Sequence, residues 1–150
     1  MTEDTLAAYR IDHPAPHDHP AGRRALAIGL LLSPIAWFIQ LVAGYGLTSH
    51  ACFPRDLQLP GAIAGWGWAG PVSLALNLVA LVACIAAAAI CWRRWRQARG
   101  EASGEHGRLL EAGEGRTRFL AIFGMWAGIW FAIAVIADTI VLLEVPLCGS

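Results

Sequence analysis

The 150-residue chain has the length of one small domain, but 57% of its residues are hydrophobic and only 15% are charged. Three long apolar runs hold most of this excess, which favours an integral membrane protein over a soluble one. Eleven basic residues balance eleven acidic ones, so no net field attracts nucleic acid, and the four cysteines lack the paired spacing of a zinc module.

The first segment, residues 1–24, is polar and has no apolar periodicity. Its prolines and charges predict a disordered tail. The alternative is a metal-binding tract, because His13, His17 and His19 lie close together there. Interleaved prolines oppose a compact site, so a solvated tail is the preferred interpretation.

Three apolar segments follow, at 25–47, 71–92 and 119–143. At about 1.5 Å per residue, each is long enough as a helix to cross the roughly 30 Å hydrocarbon core of a bilayer. Open strands would leave backbone groups unpaired in lipid, so we predict an all-α bundle of three transmembrane helices. The connecting segments are a loop at 48–70, a charged linker at 93–118 and a tail at 144–150.

The arginines predict the orientation of the chain. Ten of the eleven lie in the N-terminal segment and the second linker, and only Arg55 lies in the first loop. Positive residues concentrate on the cytoplasmic side of membrane proteins. We therefore expect a multi-pass protein of the bacterial inner membrane, with a cytoplasmic N-terminus and with the first loop and the C-terminus in the periplasm.

This topology brings Cys52 and Cys148 to the same, oxidising side of the membrane, which predicts a structural disulfide between them. Two alternatives remain open. The cysteines are unpaired, or they form a redox or metal site with His50, although no Cys-x-x-Cys motif supports that chemistry.

Small residues recur on one face of each predicted helix, as close packing of membrane helices requires. We expect this packing role for Gly29, Ser33, Gly44, Ala80, Cys84, Gly124 and Gly128.

Each of these faces also carries one strongly polar residue, namely Gln40, Asn77 or Asp138. All three lie roughly 8–10 Å below the periplasmic surface, counted at about 1.5 Å per residue. We predict a shared hydrogen-bonded node at this depth, with Tyr45 as a further partner of Asp138. Interhelical hydrogen bonding is the preferred interpretation, and docking to a polar partner helix or a proton or ion site are the alternatives.

The first span carries Ser33, Pro34, Trp37, Gln40 and Tyr45, and Cys52 and Cys148 follow it in the chain. In these residues the chain resembles a group of small uncharacterised bacterial membrane proteins that accompany respiratory terminal oxidases. The resemblance covers about 30 residues and the last cysteine, and members often carry His at the position of Gln40. It implies an accessory or assembly role without known catalysis.

The sequence contains no catalytic motif, so we predict a protein that is not an enzyme, with no cofactor, metal site or catalytic residue. The leading hypothesis is an accessory subunit that binds the bilayer and another membrane protein, or a further copy of itself. Trp37, Trp126 and Trp130 support it, because they lie deep in the spans, away from the interface that Trp prefers. The alternatives are a periplasm-facing redox or metal-handling protein and a small oligomeric transporter that uses Asp138.

Overall fold

A computed structural model describes residues 20–53, 62–102, 112–145 and 148. This part of the chain forms three helices: α1 at Pro20–Cys52, α2 at Ala69–Ala102 and α3 at Ala112–Glu144. Each is long and apolar enough to cross a membrane. The prediction of an all-helical fold is therefore confirmed, with three helices that could cross a membrane by their length and composition.

The helices are longer than the apolar segments that predicted them. Residues 20–24 belong to α1 rather than to a tail, and Pro20 occupies the helix start, where its missing N–H costs little. Both connections are correspondingly shorter, because α1 runs on to Cys52 and α2 continues to Ala102. Hydrophobicity marks the part of a helix that suits lipid, whereas backbone hydrogen bonds continue into the polar flanks. Residues 1–19 with the three tail histidines, and Arg55, lie outside the described residues.

The helix α2 runs antiparallel to α1 and α3. Its Cys84 thiol lies 3.8 Å from the carbonyl oxygen of Ser33 in α1, and its Ala88 lies against Gly128 of α3. We call the end of the bundle that holds Cys52 the disulfide end. The opposite end, where all three helices carry arginines, is the arginine end.

The described part of the first connection folds back onto α1. The amide of Ile63 donates to the carbonyl of Ala51 (3.1 Å), and the amide of Trp66 donates to the carbonyl of Ile63 (2.9 Å). Gly65 occupies the third position of this turn with φ of 90°. A residue with a Cβ rarely adopts that conformation, so this position of the turn requires glycine.

The interior of the bundle consists of small side chains, and Val135 is the largest that is fully buried. Most large apolar side chains face outward, as expected where lipid is as apolar as leucine and gives no reason to bury it. Three buried clusters follow one another along the bundle. They are Ala51, Cys52, Ala69 and Cys148 at the disulfide end, Ala80, Cys84 and Val135 in the middle, and Leu26, Cys91 and Ala121 near the arginine end.

Candidate functional site

The disulfide end is closed by a bond between Cys52 and Cys148, whose Cα atoms lie 5.2 Å apart. This confirms the predicted pairing. Both cysteines are buried, and Trp66 packs against them. His50 is exposed beside them, with its ring centroid 6.1 Å from that of Trp66. Among the described residues, no three His, Cys, Asp or Glu side chains gather so that they could hold a metal ion.

Near the arginine end, the Cys91 side chain fills the space left by two glycines. A Cβ atom added to Gly29 would lie 2.7 Å from Cys91 Sγ, and one added to Gly124 would lie 2.6 Å from the same sulfur. A Cβ atom added to Gly128 would lie 3.0 Å from Ala88 Cβ, a somewhat less tight contact. These glycines therefore allow α1 and α3 to approach α2 closely.

The remaining residues of the predicted packing stripes divide into two groups. Ser33, Ala80 and Cys84 are buried between the helices. Gly44 is different, because a Cβ added there would meet nothing within 4 Å. Gly44 therefore makes no close contact with the described residues, and its role in helix packing stays a prediction that concerns a further helix. Helical periodicity gives the direction of a residue, but it does not give the separation between two helices at that level.

The helix register brings Gln40, Asn77 and Asp138 to one level. The carbonyl oxygen of Ser33 in α1 contacts the Cys84 thiol of α2. Seven residues further toward the disulfide end, α1 reaches Gln40 and the antiparallel α2 reaches Asn77. In α3, Gly128 lies against Ala88 of α2. Ten residues further toward the disulfide end, α3 reaches Asp138 and α2 reaches residue 78, which follows Asn77 in the chain.

We call Gln40, Ser73, Asn77 and Asp138 the polar layer. Gln40 is 6% exposed and Asn77 is 4% exposed, Ser73 is buried, and Asp138 is half-buried.

The hydrogen bonds expected between these side chains are not formed. Asn77 Nδ2 instead donates to the carbonyl oxygen of Ser73 at 2.9 Å. Within the described part of the chain, Gln40 Oε1, Asn77 Oδ1 and Asp138 Oδ2 are buried without a hydrogen-bond partner. All three atoms are acceptors when the carboxyl is ionised, so they cannot satisfy one another.

Tyr45 does not join the polar layer, which corrects the prediction that it pairs with Asp138. Its side chain is 75% exposed. Five residues along a helix turn the chain by about 500°, so Tyr45 lies about 140° around α1 from Gln40. Tyr45 therefore lies on a different face of α1 from Gln40.

The outward side of α3 carries a row of aromatic side chains, which we call the aromatic face. Its members are spaced four, three and four residues apart, so they share one side of the helix. They lie opposite the buried residues of the same helix, such as Ala121 and Gly128. Trp37 differs, because its ring packs within the bundle at 5.4 Å from that of Phe131. The aromatic face consists of Phe119, Phe123, Trp126 and Trp130.

Comparison of the chain with protein-family models, curated proteins and solved structures gives no match. The case for a function therefore rests on the residues of this chain.

Proposed function

We propose that this protein is an accessory or assembly subunit of a larger complex in the bacterial inner membrane, with its N-terminus in the cytoplasm. The observation that carries the proposal is the exposure of two tryptophans in the middle of a membrane span. Trp126 is 62% exposed and Trp130 is 72% exposed.

Their depth makes this exposure unusual. Trp130 is the fourteenth of the 28 residues in the span Thr117–Glu144, about 21 Å from either end at about 1.5 Å per residue. Tryptophan prefers the membrane interface, where its indole N–H meets water and headgroups. Acyl chains offer that N–H no acceptor, whereas a protein partner supplies both an acceptor and a large apolar contact.

The positions of the glycines support the binding of an additional helix from a partner protein. Gly124 and Gly128 are already used in contacts within the bundle, but Gly44 and Gly46 lie open near the disulfide end of α1. Exposed small residues permit close approach by another membrane helix. The resemblance of the first span to proteins that accompany terminal oxidases makes a respiratory complex the first candidate for the partner.

The test compares two variants in the cells that naturally make the protein. Trp126→Leu/Trp130→Leu removes the indoles and keeps α3 apolar. Trp68→Leu is the matched control, because Trp68 is also exposed but lies outside α1 and α3, next to the start of α2. Membranes are extracted in a mild detergent, and native gels with mass spectrometry identify and quantify the proteins that migrate with each variant.

We expect a stoichiometric partner for the parent protein and for Trp68→Leu, and its loss in the double variant. The melting temperature and the disulfide of the double variant should stay unchanged, which separates lost association from lost folding. Deleting the gene should lower the amount or activity of the same complex. The proposal is wrong if the double variant keeps its partner, or if the native band contains this chain alone.

A further inference from the structure

The polar layer contains one carboxyl group, and the described residues place no counter-ion at its level. Asp138 is the only formally charged side chain in the three apolar segments. The buried polar residues of α1 and α2 at this level, Gln40 and Asn77, are neutral, and so is Ser73 one helical turn further toward the disulfide end. An ionised carboxylate inside a membrane is unfavourable unless another group compensates its charge.

Other titratable groups of the described residues lie away from this level. Toward the disulfide end, α1 carries Tyr45 and His50, both exposed, and α3 ends at exposed Glu144. The nearest titratable side chain of α2 is Cys84, which lies seven residues from Asn77 toward the arginine end. The described arginine side chains are all at the arginine end: Arg23, Arg24, Arg93, Arg94, Arg96 and Arg118.

Among the described residues, three acceptor oxygens of the layer are buried without a hydrogen-bond partner, namely Gln40 Oε1, Asn77 Oδ1 and Asp138 Oδ2. The hydroxyl of Ser73, which can donate or accept, is also buried without a partner. The one amide donor that reaches into this region from α2, Asn77 Nδ2, is already bonded to a backbone carbonyl. Buried polar atoms normally have partners, so such a set indicates that a donor or a cation belongs there.

We propose that the polar layer binds one monovalent cation, either a sodium ion or a proton. Carboxylate, carboxamide and hydroxyl oxygens are the ligands that hard cations prefer. A single positive charge neutralises Asp138. A sodium ion would be held by the carboxylate with Gln40 Oε1 and Asn77 Oδ1, whereas a proton on Asp138 would be donated in a hydrogen bond to one of these amide oxygens. The site lies within this chain and does not depend on the proposed partner complex.

The experiment measures the melting temperature of the purified protein in nanodiscs. Sodium chloride is exchanged for N-methyl-D-glucamine chloride at constant ionic strength, and the series is repeated at several pH values. Asp138→Asn removes the charge with little change of shape. Glu144→Gln is the matched control, because it neutralises an exposed carboxylate on the same helix.

A ligand that binds only the folded state raises the melting temperature, by about 3 °C or more at ten times its Kd. Such a rise with sodium, lost in Asp138→Asn and kept in Glu144→Gln, identifies a sodium ion. A melting temperature that rises on acidification, with the rise lost in Asp138→Asn and kept in Glu144→Gln, identifies a proton. A pH effect that persists in Asp138→Asn comes from other groups and does not support the site.

A second variant and a second measurement cover the case in which Asp138→Asn does not fold. Asn77→Leu keeps the carboxyl group and removes one ligand oxygen, so the cation effect should need a higher sodium or proton concentration. Infrared difference spectra should show the carbonyl band of a protonated carboxylic acid if the cation is a proton. The proposal is overturned if the melting temperature shows no dependence on sodium or on pH that requires the polar layer. That result is expected if a neutral water molecule occupies the site.

Discussion

Replacing Gly124 by alanine tests the close approach of the three helices around Cys91. The new methyl group would lie 2.6 Å from Cys91 Sγ and 3.6 Å from Cys91 Cβ. The sulfur cannot move toward α1 to relieve this contact, because it already fills the space above Gly29. One of the helices must therefore shift.

The expected loss of stability is the balance of two effects. Overpacking a tight interior costs about 1–3 kcal/mol. Alanine in place of glycine within a helix recovers about 1 kcal/mol. The net loss of stability for Gly124→Ala should therefore be about 0–2 kcal/mol. Gly44→Ala is the matched control, because the same substitution in α1 meets nothing within 4 Å and should be neutral or slightly stabilising.

The assay is equilibrium unfolding in mixed micelles of dodecyl maltoside and increasing SDS, followed by tryptophan fluorescence. The difference between the two alanine variants removes the propensity effect and isolates the contact with Cys91. Adding Cys91→Ala to Gly124→Ala should recover part of the loss, since the sulfur that clashes is gone. Equal stability of Gly124→Ala and Gly44→Ala, or simple additivity with Cys91→Ala, would refute the reasoning.

Three further changes should have measurable effects. Cys52→Ser and Cys148→Ser should each lower the free energy of unfolding by about 2–4 kcal/mol. The double variant should lose no more than either single variant, and thermal unfolding with and without a reductant measures this. Gly65→Ala should cost about 1–2 kcal/mol through its positive φ alone, because its Cβ would meet no neighbour; a neutral result in the same assay would contradict that turn geometry. Asp138→Leu should unfold at a lower SDS concentration than Asp138→Asn, which keeps a polar side chain at the level of Asn77, and the reverse order would count against an inward-facing Asp138.

The features that follow from composition and periodicity were predictable from the sequence. An apolar run of more than 20 residues has few structural solutions in lipid, so the three helices follow from residues 25–47, 71–92 and 119–143. Glycine and serine on one side of a helix likewise point inward, as Gly29, Ser33 and Gly128 do. The pairing of Cys52 with Cys148 follows once both lie on one side of the membrane.

The separations and partners of side chains were not predictable in the same way. Gly44 shares the periodicity of Ser33, yet it faces open space because distance between helices changes along a bundle. The hydrogen bonds of the polar layer depend on side-chain rotamers, and Asn77 uses its amide for its own helix rather than for Gln40 or Asp138. Sequence patterns gave the level of these residues but left their bonds undetermined.

The disulfide also turns most of the chain into a covalent ring. It joins residues 96 positions apart, so α2, α3 and both connections belong to a covalent loop. The rest of α1 with the N-terminal segment extends from one end of this loop, and residues 149–150 extend from the other. A protease that cuts once between α2 and α3 opens this ring without separating the pieces. The nicked protein would run as one species on a non-reducing gel and as two fragments after reduction.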